Sequence, residues 1–339
     1  MNKLTKIGVS ALCGSLAAVS AANAGEMSVS GGANATWTKL SYGETGNPLG
    51  MASNLTFKGN GELDNGDTFV LSVAHTDQNA YTASQIAYTG SLGTFRLDQG
   101  GGTGLDRIDD MMPTAWEETD GTGVGAGLQT VSGAGGSTDI EWTVSSDMLP
   151  EGLTAHIAWS PKADGSKNND KSVSGTANAA VDGAGWDLVL IHTGIADGLK
   201  AFAGYSNIPM HPDAAGGSTS DRTSYAIGAT YAVGSVTVGY QYSRDNHQSS
   251  TDAGTRYYEN NAYGISFNVN DDLSLSYGLH KSERNRNGAA AVEAEGDSIQ
   301  AAYSMGGATL KIAETSWDNA TYSSGTNREG TTVALSLAF

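Results

Sequence analysis

The sequence predicts an all-β chain, a transmembrane antiparallel β-barrel of about sixteen strands. Three observations carry that reading. Apolar and aromatic residues alternate at period two with small, polar or charged ones along most of the chain. The connections between these runs alternate between short and long. Beyond position 24 no run of about 18 consecutive apolar residues occurs, so nothing there reads as a membrane-crossing helix.

At the start, Lys3 and Lys6 precede an apolar, small-residue run from Ile7 to Val19, and Ala22-Asn23-Ala24 matches an A-x-A cleavage site. Residues 1–24 are therefore expected to be a cleaved signal peptide, leaving 25–339 as a single barrel domain that starts at Gly25. Cleavage would remove Cys13, the one cysteine of the chain, so an exported product would fold without disulfides. Met27 to Trp37 then reads as the first strand. Phe69, Leu71 and Val73 alternate with Thr68, Val70 and Ser72, and Ile140, Trp142 and Val144 with Asp139, Glu141, Thr143 and Ser145. Tyr225, Ile227, Ala229 and Tyr231 oppose Ser224, Ala226, Gly228 and Thr230. Tyr263, Ile265, Phe267 and Val269 oppose Ala262, Gly264, Ser266 and Asn268, and Leu273, Leu275, Tyr277 and Leu279 oppose Ser274, Ser276, Gly278 and His280. The last run sets Val333, Leu335, Leu337 and Phe339 against Thr332, Ala334, Ser336 and Ala338. Short connections are expected at 63–67, 89–93, 147–152, 194–198, 233–235, 270–272 and 305–307. Long ones are expected at 43–50, 99–136, 161–182, 207–221, 245–255, 284–296 and 318–330, with a shorter segment at 77–81.

A soluble sandwich also alternates, but its inner face must be large and apolar. Here the second face is Ser, Thr, Gly, Asn, Asp and Lys, too polar to bury without partners. Lipid on one side and water on the other satisfies both faces, and backbone pairing in lipid then requires closure. At about sixteen strands the lumen stays open and aqueous. This explains a mean hydropathy of −0.28 in a membrane chain. The 46 glycines lack a collagen period, 6 prolines are too few for proline-rich disorder, and a net charge of −18 argues against nucleic acid as a partner.

With its export signal, its terminal strand ending in Phe339 and its third long loop, the chain resembles the Gram-negative general porins, specifically the alphaproteobacterial type. The loop segment Asp98 to Glu118 carries the resemblance most strongly, with Asp106-Arg107, Asp109-Asp110, Pro113 and Trp116-Glu117-Glu118. The resemblance implies that this loop folds into the lumen and constricts the pore. It also implies a homotrimer in the outer membrane, surrounded by outer-membrane lipids and lipopolysaccharide, that passes small hydrophilic solutes and ions by diffusion. Phe339 would be the membrane-insertion signal read by the barrel-insertion machinery.

Permeation needs a constriction of chosen size and field rather than a nucleophile. Asp106, Asp109, Asp110, Glu117, Glu118 and Asp120 form a dense anionic cluster, and Asp98 points inward by parity from Phe95 and Leu97. Inside the lumen these acids would favour cations. In a loop outside it they would be an ordinary solvated charge run. Strand parity also turns Lys58, Arg96, Lys200 and Lys311 inward as basic wall candidates, along with His156, either at the constriction or merely solvated near a mouth. The acidic loop could also hold a hard cation. Asp106, Asp109 and Asp110 are the candidate calcium ligands, although their spacing is not an EF-hand. Asp164 and Asp170 are candidates for divalent ions bridging lipopolysaccharide. Small outward residues such as Ala33 and Ala35 mark a candidate trimer contact. Nucleophile-elbow, zincin and P-loop motifs are missing after position 24, so no enzymatic activity and no cofactor are expected. The alternatives to a diffusion channel are a substrate-specific outer-membrane channel and a non-conducting surface-binding barrel.

Overall fold

The computed structural model describes residues 24–41, 46–77, 83–99, 101–163, 184–209, 220–249, 251 and 253–338. The expected leader up to Asn23, the terminal Phe339, and Asp164 and Asp170 lie outside the described residues. Sixteen strands form one closed antiparallel sheet. They are β1 (Ala24–Leu40), β2 (Leu49–Glu62), β3 (Thr68–Thr76), β4 (Ala83–Gly90), β5 (Gly93–Asp98), β6 (Asp139–Val144), β7 (Leu153–Ser160) and β8 (Gly185–His192). There follow β9 (Leu199–Ile208), β10 (Arg222–Val233), β11 (Val236–Asn246), β12 (Thr255–Asn268), β13 (Leu273–Arg286), β14 (Ala289–Met305), β15 (Ala308–Asp318) and β16 (Arg328–Ala338). Each strand pairs with its chain neighbours, and the ring closes where β1 meets β16 in register from Gly32↔Ala338 to Leu40↔Gly330. Among the described residues no helix is long and apolar enough to cross a membrane.

The period-two reading fixes the faces. Leu335 pairs with Ala35 and Leu310, and Ile265 with Val238 and Tyr277, so like faces meet across every seam. Large apolar side chains stand on the outside: Leu71, Ile140, Ile227, Phe267, Leu275 and Leu337 are all exposed. Aromatic pairs tie neighbouring strands together on this surface, with Phe95 stacked on Trp142 at 5.9 Å and Tyr240 tilted against Tyr263 at 4.9 Å.

Among the described residues one connection differs from the sequence reading. The long loop expected at Arg284 to Gly296 is strand instead, and β13 passes into β14 through the tight turn Asn287-Gly288. Gly288 has a φ of +62°, a left-handed conformation that glycine adopts without strain. The Ala-rich run after it, Ala289 to Ala294, carries one β-branched residue and gives little strand signal of its own. The ladder to β13, for example Glu283↔Glu293, holds it extended.

The outward row predicts an asymmetry between the two faces. Ile312→Arg should cost about 2–4 kcal/mol of barrel stability in a lipid bilayer, whereas Thr309→Arg on the lumen side should cost under about 1 kcal/mol. Urea unfolding of the two variants in vesicles checks this.

Candidate functional site

Between β5 and β6 the chain leaves the wall and turns into the barrel. The described residues of segment 99–138 run past inward-facing positions of β6 to β16 and are pinned at many points. Its first anchor is a set of buried carboxylates. Glu141 on β6 accepts Arg107 Nε at 2.7 Å, Gly104 N at 2.9 Å and Arg96 Nη1 at 3.1 Å. Asp187 on β8 accepts Leu105 N at 2.9 Å and Ala134 N at 3.0 Å, so one side chain holds both limbs of the loop. Gly104 and Gly133 pass so close that a Cβ on either would lie 2.2 or 2.4 Å from Asp187 Oδ2. Both also have left-handed φ values, +56° and +61°. Only glycine fits there. Asp139 accepts Thr103 Oγ1 at 3.0 Å beside them.

An apolar wedge reinforces this seat. Leu105, Ile108 and Val131 of the loop are fully buried against Val189, Phe202 and Ala226, which point inward from β8, β9 and β10. Burial of this kind contributes roughly 1.5–3 kcal/mol per large side chain. Further along, Gln241 Nε2 donates to Asp109 O at 2.9 Å, and Ala115 N donates to Ser276 Oγ at 2.9 Å. Gln300 makes a two-way clamp on Glu117, accepting its N–H at 3.1 Å and donating to its carbonyl at 2.8 Å. Thr122 and Thr315 hydroxyls meet at 2.8 Å. The far end packs Val124 and Ala126 against Trp317 and Tyr322, and Arg328 donates to Gly125 O.

Held in this way, the loop presents a lumen-facing acidic cavity of about 440 Å³, lined by Asp109, Asp110, Glu117, Glu118 and Asp120 with Met112, Thr114 and Trp116. Asp110 and Glu117 are exposed within it. Burial, reinforced by the Asp110 charge, pushes the Asp109 carboxyl up to about 7. Burial pushes Glu118 up to about 8, against the N–H bond from Met112 at 2.6 Å, and neighbouring carboxylates add to the rise. Asp110 and Glu117 are raised as well, again by burial first. Asp110 is raised further by Asp120 and Asp106, while the Lys311 charge pulls Glu117 back.

The sequence-stated candidates fall into separate groups. Asp98 is buried and accepts Gly101 N at 2.8 Å, and Asp106 accepts Gly102 N at 2.7 Å, so both shape the loop's own entry turn. Arg96 is spent on Glu141, and His156 is buried behind the loop with Nδ1 2.9 Å from Thr143 Oγ1. Lys311 stands over Trp116, its Nζ 5.7 Å from the ring centre. Lys200 is the second residue of β9, near a short turn, and Lys58 faces inward from β2. Around Lys58 the inward positions of β1 to β4 carry Asn34, Thr36, Asn54, Thr56, Ser72 and Gln85. The three candidate calcium ligands point different ways: Asp109 Oδ2 accepts Thr130 Oγ1 at 2.9 Å while Asp106 is turned to Gly102. Among the described residues no three His, Cys, Asp or Glu side chains converge as a metal-ligand group. Ser224 on β10, Asp245 on β11 and His247 just beyond it are adjacent, and Ser224 Oγ donates to Asp245 at 2.8 Å.

The residues whose roles sequence reasoning passed over are Arg107, Glu141, Asp187 and the apolar inward patch. One signal for the patch was present. Leu188-Val189-Leu190-Ile191 is apolar on both faces, where an ordinary lumen strand alternates.

The sequence model of the family described as Gram-negative porin matches residues 8–338. No curated protein matches the sequence. Among solved structures the fold is similar to a complex of Salmonella typhi OmpF with daunomycin, at 15% identity and a TM-score of 0.68, covering 93% of this chain and 98% of that one. It is also similar to an anion-selective porin from Comamonas acidovorans, at 14% identity and a TM-score of 0.65 over 93% and 99% of the two chains. The trimer form of Vibrio cholerae OmpT matches at 10% identity and a TM-score of 0.63 over 94% and 100%.

Asp187 is the strongest test of the loop's seat. Asp187→Ala should leave its backbone N–H partners unsatisfied and cost about 2–4 kcal/mol in thermal or urea unfolding. Limited proteolysis should then cut within 99–138, where the parent protein resists.

Proposed function

The chain belongs to the Gram-negative porin family, outer-membrane channels through which small hydrophilic solutes diffuse, and from that premise we propose a cation-preferring pore whose constriction is the acidic face of segment 99–138. The observation that carries this reading is the placement of exposed Asp110 and Glu117 on the inner side of a loop pinned at both ends. The lumen wall of β1 to β4 is mostly neutral, from Asn34 to Gln85, with Lys58 among it. A cation entering there meets carboxylates in a narrow, poorly screened space, where one sign of charge concentrates counter-ions. The cations nearest the loop, Arg96, Arg107, Lys311 and Arg328, are engaged with Glu141, Trp116 or the Gly125 carbonyl and offset the acids only in part. We read the assembly as a homotrimer, in keeping with the trimer form of the similar Vibrio cholerae protein.

Single-channel recording in a planar bilayer under a KCl gradient tests the proposal. The expected result is stepwise openings in threes with a cation-selective reversal potential. The double variant Asp110→Asn with Glu117→Gln should lower the K⁺ over Cl⁻ permeability ratio by about twofold or more with the barrel intact. Anion preference in the parent protein would overturn the assignment of the loop acids.

The raised carboxyls give the selectivity a pH dependence of known sign. Asp109 and Glu118 become charged only as pH rises through about 7 and about 8. Cation preference should therefore climb between pH 6 and pH 9. A flat reversal potential across that window would remove these two groups from the constriction.

A further inference from the structure

The outer wall carries a second concavity, separate from the lumen. On β9 and β10 the outward positions Ala201, Ala203 and Ala229 fall into one patch. Ala201 pairs with His192 and Ala229, and Ala203 pairs with Leu190 and Ile227. These methyl groups set the wall back between outward side chains that stand proud: Leu190, Ile227 and Tyr240 are 38%, 57% and 43% exposed. The result is an apolar groove of about 560 Å³. In a bilayer, lining atoms without neighbours lose their dispersion contacts, so such a dent favours an occupant that fills it.

The rim gives the groove its chemistry. The connections 193–198 and 234–235 are short, which places this end of the barrel at the periplasmic edge of the hydrocarbon belt. His192 lines the groove there. Its Nδ1 accepts Gly194 N–H at 2.9 Å, which puts the ring proton on Nε2 and leaves that N–H to donate. Two turns meet at this point, joined by Thr193 N donating to Gly152 O at 2.9 Å, and they carry the exposed carboxylates Glu151 and Asp197. A donor suited to a phosphate oxygen, beside two carboxylates that attract a cation, complements a zwitterionic head group. The same carboxylates repel a head group with net negative charge.

We propose that this groove binds a glycerophospholipid of the inner leaflet with a zwitterionic, ammonium-bearing head group. One acyl chain lies over Ala201, Ala203 and Ala229, the phosphate accepts from His192 Nε2–H, and the ammonium sits between Glu151 and Asp197. The assignment rests on the outer wall alone and stands independently of the pore's ion preference.

Native mass spectrometry of the full assembly tests it, with dioleoyl phosphatidylethanolamine and dioleoyl phosphatidylglycerol titrated separately into detergent micelles. The parent protein should retain the ethanolamine lipid about tenfold more tightly than the glycerol lipid. Ala203→Leu with Ala229→Leu, which fills the groove from the lipid side, should weaken that binding about tenfold while the assembly keeps its oligomeric mass. Glu151→Gln with Asp197→Asn should keep chain binding but bring the two lipids to equal affinity, whereas His192→Phe should weaken both lipids alike. Equal retention of both lipids by the parent protein would overturn the proposal, as would undiminished binding in the filled variant. Loss of the oligomer on filling, with lipid binding unchanged, would assign the groove to a contact between copies and overturn it too.

Discussion

A strand in hydrocarbon has no water to satisfy its N–H and C=O groups, so every backbone polar group must find a partner within the sheet. The seam between β1 and β16 meets that demand, because without it both strands would present an open edge to lipid. Closure in turn fixes the faces. Once the ring is complete, a one-residue slip anywhere would move Leu335, Ile265 and their rows from lipid into water. The alternation of side chains and the closure of the backbone are therefore one constraint seen at two levels.

Closure also creates the problem that the loop solves. A sixteen-stranded ring encloses more space than its own side chains fill. Segment 99–138 enters that space, and it is held there by interactions chosen for a wet interior. Carboxylates on the wall accept backbone N–H groups of the loop, as Asp187 does for Leu105 and Ala134. Buried charge is costly by itself, and it is tolerated where guanidinium and amide donors surround it, as they surround Glu141. With the seat carried by Asp98, Asp139, Glu141 and Asp187, the remaining acids from Asp109 to Asp120 are left to face the lumen. The carboxylates thus fall into two populations, structural ones at the wall and, in the pore we propose, electrostatic ones at the aperture.

Much of the barrel was legible because its two solvents write their difference into alternate residues. Strand faces, turn lengths and the identity of the long third loop follow from that pattern. The β13–β14 hairpin was missed because its second limb is rich in Ala and Glu, and its neighbour keeps it extended, not its own propensity. Within the site, the acids were visible as a cluster, but their division of labour was not. Nothing local to Asp187 announces that its partners lie 82 and 53 residues away. Parity correctly turned Arg96 and His156 inward, yet parity gives no depth, and both sit behind the loop instead of across the pore from it. The inward Val189 and Phe202 broke the alternation, and that break is the trace a loop seat leaves in a lumen strand.

The central claim is that the loop is a fixed part of the lumen wall and does not move aside as a flap. Thr122 on the loop and Thr315 on β15 have hydroxyls 2.8 Å apart, so cysteines at both positions would bring two thiols together across the contact between loop and wall. The measurement is single-channel conductance of Thr122→Cys with Thr315→Cys, recorded oxidised and then reduced. The account predicts ready cross-linking and the same open-channel current in both states. A pair that stays reduced, or a current that changes when the bond forms, would contradict it.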